Sequence, residues 1–239
     1  MSIVMFVRHG QGTLDGGQYD RLSDLGKLQA ERLGHAWSSD AVGIDYVYTG
    51  TQRRHRETAE IVVDCYRRAG LSFPAMREDM RFNEIDSLDI LDSLVPLLME
   101  QDARFRDLVE KTKNAMKKGT PDKIELFDRG IGILMDAWVR NIVPRYRGLT
   151  WDDFRARVLS PGEDLARHGK DARIAVFTSG NPIGVYVKEA LKLNDAETLA
   201  IVHDLFNANV TTMEIHGGVI TLASLNDVAH LPHDQRTKK

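Results

Sequence analysis

Short apolar runs alternate along this chain with longer segments whose apolar residues recur at helical spacing. Ile3–Val7 is an unbroken apolar run that stops at Arg8-His9-Gly10, the pattern of a buried strand delivering polar groups at its carboxyl end. A glycine-rich stretch follows (Gly10, Gly12, Gly16, Gly17), and Leu22-Ser23-Asp24-Leu25-Gly26 then opens a helix to about Ser38 with Ser23 as N-cap. Leu25, Leu28, Leu33 and Trp37 form its apolar stripe. Asp45–Thr49 reads as a second strand. Thr51 reads as the cap of a helix over residues 52–69 whose Thr58, Ile61, Val62, Cys65 and Tyr66 face inward. Residues 74–84 return as an extended segment ending at Glu84.

Strand signals then vanish. Residues 87–117, 122–144 and 150–168 read as charge-bearing helices, so 85–171 is expected to be a helical cap insertion within one α/β domain spanning 1–239. The sheet resumes at Arg173–Phe177, and Pro182 sits in the first turn of a helix running to about Leu193. A further helix covers residues 195–204, and Val210–Ile215, Gly217-Gly218 and Val219–Leu225 make a hairpin turning on the paired glycines. The alternation predicts a three-layer α/β/α fold with a mostly parallel central sheet and an antiparallel pair at one edge. Ligands in such sheets bind beyond the carboxyl ends of the strands. Three strands deliver His9, the 49–51 loop leading into Arg54, and Ser179 to that edge.

Charge and cysteine content narrow the partners. A net charge of -3 gives no global pull toward nucleic acid or anionic membrane, so anion binding has to be local. Cys65 is the single cysteine, which excludes an internal disulfide and a cysteine-based zinc site and points to a reducing cytoplasm. No apolar run is long enough for a spanning helix, and the opening residues are too few for an export signal. The final DQRTKK is expected to be a solvated, fraying tail. Gly10-Gln11-Gly12 falls short of a dinucleotide fingerprint, because the third glycine comes one place late at Gly16 and opens no helix.

The chemistry lies in Arg8, His9, Arg54 and Glu84. A phosphate monoester needs its charge neutralised, a nucleophile in line with phosphorus, and a proton for the leaving oxygen. Two guanidinium forks match phosphate oxygens. A neutral imidazole can attack phosphorus, and a carboxyl group can protonate the leaving alkoxide and then activate water. Backbone N–H groups of Gly10 and of the helix starting near Gln52 are expected to add to the anion site. Asp79 and Asp86 compete with Glu84 for the acid role. His55 adjoins Arg54 and is expected to be a helix-surface histidine, the competing reading being a second imidazole for the site. Lys111, Lys113, Lys117 and Lys118 read as a solvated helix face.

Arg8-His9-Gly10-Gln11 after the first strand resembles the signature of the histidine phosphatase superfamily, in the phosphoglycerate mutase-like branch. Residues 22–30 are similar to its LTxxGxxQA helix opening, and residues 48–60 to its YSSPLxRAxxTAE segment, which places the phosphate-binding arginine at Arg54. Residues 79–84 resemble DxRLxE and place the general acid at Glu84. The resemblance covers about 130 residues at the two ends. It implies a phosphomonoesterase working through a phosphohistidine on His9, with Glu84 as acid and base. Arg8, Arg54, Ser179 and Gly10 would bind phosphate, with no metal and no cofactor. The partner implied is a small phosphorylated substrate or phosphate ion, and oligomeric state is left open.

Two positions depart from the family pattern. Where a second catalytic histidine is usual, in an xxHGG segment, this chain carries Ser179. A serine donates one hydrogen bond but brings no positive charge, and losing one such donor costs about a hundred- to a thousandfold in rate. The alternative it raises is a weak or inactive pseudophosphatase that binds a phosphorylated ligand or protein, and Ser179→His is expected to raise turnover if that position limits catalysis. Asp15 stands where mutases carry asparagine, which favours a phosphatase over a mutase. Phe82, Trp138, Arg140, Trp151 and Arg155 are candidates to line a substrate pocket.

Overall fold

The computed structural model describes residues 1–13, 20–85 and 87–238. Asp15, Gly16, Gly17 and Asp86 therefore lie outside the described residues. The chain forms two compact units, one of Met1–Glu84 with Arg157–Lys239 and one of Ile85–Ala156.

The first unit holds a six-stranded sheet of β1 (Ser2–Arg8), β2 (Tyr46–Thr49), β3 (Met76–Glu78), β4 (Arg173–Thr178), β5 (Val210–His216) and β6 (Val219–Asp227), in the order β3-β2-β4-β1-β5-β6. The first four positions run parallel, and β5 pairs antiparallel with both β1 and β6. The β5–β6 turn places Gly217 and Gly218 at φ 54° and 80°, a conformation that L side chains resist. This is the mixed α/β architecture with an antiparallel edge pair that the sequence pattern predicts.

Strand alternation builds the layers. Met5 and Val7 of β1 join Leu33 and Trp37 of α1 (Asp24–Ser39) and Ala59, Val62 and Tyr66 of α2 (Arg53–Arg68) in one buried cluster. Phe6 points to the other face, its ring 4.3 Å from that of Tyr186 in α8 (Gly180–Leu191). Burying each such side chain contributes about 1.5–3 kcal/mol. Helix α1 begins as expected, with Ser23 accepting from Gly26 N–H. It lies close on α2 because a Cβ at Gly34 would stand 2.8 Å from Cys65 Sγ.

The second unit is helical. It contains α3 (Ser87–Gln101), α4 (Ala103–Lys118), α5 (Lys123–Val139) and the start of α6 (Trp151–Leu159). The remaining helices, α7 (Gly162–Ala166) and α9 (Asp195–Asp204), belong to the first unit.

Several expectations change. Trp138 and Trp151 do not line a pocket, because each is 2% exposed and they stack with Phe154 in the helical unit's own core. Phe82 is likewise fully buried, in the α/β unit, and Arg140 is exposed and paired with Asp136. The C-terminal tail is tied down rather than frayed. Gln29, a buried amide, donates to Gln235 O at 2.7 Å and to Thr237 Oγ1 at 2.9 Å, and Asn207 N–H donates to Thr237 O at 2.7 Å. Unsatisfied buried amides are costly, which is the reason this tail holds its place. Thr51 does not cap α2, since Gln52 takes the N-cap position.

Candidate active site

Register brings the polar strand ends together. Arg8 lies opposite Thr178 in the β1–β4 ladder and Thr49 opposite Phe177 in the β2–β4 ladder. Each ladder continues one bond further, with His9 N–H donating to Thr178 O at 2.9 Å and Gly50 N–H to Phe177 O at 3.0 Å. His9, Gly50 and Ser179 thus emerge side by side where the three parallel strands end.

The His9 ring is fixed on both sides. Its Nδ1 is 2.7 Å from Gly10 O, which only accepts, and its Nε2 is 3.1 Å from Arg54 Nε, which only donates. The proton therefore sits on Nδ1 and the lone pair on Nε2. Burial is the largest cause holding this imidazole well below its ordinary pKa, followed by the Arg54 charge, His55 and Arg8; the Gly10 bond opposes them. The ring is neutral, the state in which an imidazole is a nucleophile.

Arg54 comes from the first turn of α2 and is 4% exposed. Besides His9, it meets Asp20 Oδ1 at 2.9 Å through NH1 and Gln52 Oε1 at 3.3 Å through NH2. Asp20 Oδ2 also accepts from Arg53 N–H at 2.9 Å, so this carboxylate occupies the α2 N-terminus where an anion is favoured. Nothing in the sequence singles out Asp20; the chain path alone puts it there.

Two side chains of α2 tie this end of the helix to the neighbouring loops. Thr58 accepts from Gly10 N–H at 3.1 Å and donates to Arg54 O at 2.7 Å, and Glu57 accepts from Leu22 N–H at 2.8 Å and Arg53 Nε at 2.6 Å. The Gly10 N–H, expected at the anion, is thus given to Thr58. Gly10 matters instead for approach: a Cβ there would lie 2.2 Å from Gly26 O, and one at Gly26 would lie 2.1 Å from Gln11 O.

Glu84 Oε2 accepts from Asn181 N–H at 3.2 Å, at the N-terminus of α8. Arg157, which the sequence pattern did not mark, stands beside it and donates to Met80 O at 2.7 Å and Asn83 O at 3.1 Å. Asp79, a competing candidate, is committed to Arg81 through contacts of 2.7–3.0 Å. Arg8 is half-buried and donates to Leu205 O, and its charge reaches His9.

Ser179 is 1% exposed and precedes α8 without using its side chain as a cap. Its Oγ is 2.6 Å from Nε2 of His55. His55 is therefore not a surface histidine: it is fully buried, 5.6 Å from the His9 ring between centroids. Burial first, and the Arg54 charge second, hold it well below its ordinary pKa. The signal for it was present in the sequence, since 55, 58, 59, 62, 65 and 66 form one helical stripe. Among the described residues no cluster of three or more His, Cys, Asp or Glu is arranged to hold a metal ion, and no helix is long and apolar enough to cross a membrane.

No curated protein matches the chain in sequence. Solved structures do match in fold. The YhfR protein of Bacillus stearothermophilus is 19% identical with a TM-score of 0.61 over 96% of this chain and 99% of its own. A phosphoglycerate mutase from Bacillus anthracis is 19% identical, with a TM-score of 0.60 over 96% and 94%. A mycobacterial glucosyl-3-phosphoglycerate phosphatase, in complex with inorganic phosphate, is 20% identical with a TM-score of 0.60 over 96% and 99%. The family model of the histidine phosphatase superfamily (branch 1) matches residues 4–137 and 134–228. This chain belongs to the histidine phosphatase superfamily.

Proposed function

We propose that this protein hydrolyses phosphate monoesters through a phosphohistidine on His9. The observation that carries the reading is the state of the ring, with Nδ1–H held on Gly10 O and the Nε2 lone pair facing Arg54. In the first step Nε2 bonds to phosphorus as the bond to the leaving oxygen breaks, and Glu84 gives that oxygen a proton. In the second, water attacks phosphorus, Glu84 takes its proton, and the P–N bond breaks to release inorganic phosphate. Arg54 exchanges its bonds to His9 Nε2 and Asp20 for phosphoryl oxygens, with Arg8 and Ser179 as further contacts. The guanidinium groups supply the charge neutralisation that a metal supplies elsewhere. A small phosphorylated compound is the substrate class, in line with what the matched phosphatase is named for.

Hydrolysis of an aryl phosphate by the wild type and by His9→Ala tests the reading. A loss of at least about a thousandfold is expected, and equal rates would sink it. One observation favours a second reading, binding without turnover: Asp20 already neutralises Arg54 internally. Acid-labile phosphate trapped on His9 during turnover would rule that reading out.

A further inference from the structure

Ser179 carries one feature that the phosphatase reading leaves unused, its contact with a second buried imidazole. His55 is fully buried, and its Nε2 lies 2.6 Å from Ser179 Oγ. Its Nδ1 is buried without a hydrogen-bond partner among the described residues. That asymmetry sets the tautomer. A buried N–H left without an acceptor is rarer and costlier than a lone pair left without a donor. The proton is therefore on Nε2, and Nε2–H donates to Ser179 Oγ. With Nε2–H donating to its oxygen, the serine hydroxyl keeps its own hydrogen for another acceptor, since His55 is the partner it meets at 2.6 Å.

The niche is built for the ring. A Cβ at Gly50 would stand 2.3 Å from His55 Nδ1 and 2.8 Å from Asn83 Oδ1, so only glycine at this strand end leaves the imidazole its place. The ring also sits next in line to His9, with 5.6 Å between centroids.

We infer that His55 and Ser179 act as one donor to the phosphoryl group, His55 Nε2–H donating to Ser179 Oγ and Ser179 O–H donating to a phosphoryl oxygen. This rests on the reading that phosphate binds at His9. His55 touches no substrate atom and is a positioning residue: it fixes the hydroxyl rotor and strengthens the donor by polarising it, as chained hydrogen bonds do. The pair restores an imidazole to the site from α2 rather than from the strand end.

The same contact reverses the expectation for Ser179→His. Position 179 is 1% exposed and already touches His55, so a second imidazole would collide with it. A gain in turnover is expected only when His55→Ala opens the niche for Ser179→His.

A double-mutant cycle on the full chain decides the matter, read by orthovanadate affinity in calorimetry with aryl phosphate turnover alongside. Ser179→Ala and His55→Leu are each expected to weaken vanadate binding by about tenfold or more. Combined, they should be no worse than Ser179→Ala alone, since His55 acts through the serine. His55→Gln, whose amide N–H can still donate to Ser179, should stay within about threefold of wild type. Should His55→Leu not fold, His55→Met carries the same expectation. The proposal is overturned if loss of His55 weakens vanadate equally with and without Ser179, if it has no effect, or if the wild type does not bind vanadate. Vanadate binding that shows this coupling in a wild type without turnover would refute the phosphatase reading alone.

Discussion

The two units of this protein use polar groups in opposite ways. In the α/β unit, His9, Arg54, His55, Thr58 and Ser179 are all under 5% exposed, and each is tied to another. In the helical unit, ion pairs such as Arg145–Glu100, 70% and 59% exposed, and Arg140–Asp136, 62% and 47%, are at the surface. Such pairs contribute about 0–1 kcal/mol. The helical unit's hollow is apolar instead, a groove of about 440 Å³ among α3, α4 and α5 lined by Leu91, Val95, Phe105, Phe127 and Ile131. Buried polar groups hold direction in a low dielectric, and exposed ones do not. That difference is why chemistry is assigned to the first unit.

The sharpest way to break the comparison is to delete one arginine from each unit. Arg54→Ala should lower kcat for an aryl phosphate by about a hundred- to a thousandfold, the cost of one preorganised donor at developing charge. Arg145→Ala in the helical unit should leave kcat unchanged, and equal losses would end the distinction. A glycine contrast comes next. Gly10→Ala should destabilise the fold by about 1–3 kcal/mol or more, because its Cβ meets Gly26 backbone at 2.2 Å. Gly132→Ala in α5, with open space around its Cβ, should stabilise by about 0.5–1 kcal/mol. Chemical denaturation reads both, and the signs should be opposite.

Acid should act on one unit alone. His9 and His55 are held well below the ordinary histidine pKa, chiefly by burial, and His230 is pushed down to about 4 for the same reason. As pH falls through about 6.5, the unfolded rings take up protons that the folded ones refuse. The unfolded state then binds more protons, so stability present above that pH is lost by about 1.4 kcal/mol per histidine per pH unit. The helical unit contains no histidine. Hydrogen exchange at pH 7 and pH 5.5 should therefore show loss of protection in the α/β unit first, and uniform loss would contradict this.

Much of this was written in local sequence. The run Ile3–Val7 ending in His9, the N-cap Ser23, Pro182 in the first turn of α8 and the Gly217-Gly218 turn each follow from rules that span a few residues, and the structure places all four as expected. The resemblance to the histidine phosphatase superfamily, rather than any local rule, marked the roles of Arg54 and Glu84 and made Ser179 the odd residue. Local rules could not tell that Gly10 N–H goes to Thr58, that Asp20 sits on Arg54, or that His55 turns inward to Ser179, because those partners lie 48, 34 and 124 residues apart. Periodicity names the face of a helix that is buried, but not what waits on the other side. The sequence by itself determined the order of the strands and a set of candidate polar groups, while it ran α3 into α4 and α6 into α7. The tertiary structure decided which donor meets which acceptor, since a buried hydrogen bond depends on ångström-scale approach between strands and helices that no local pattern encodes.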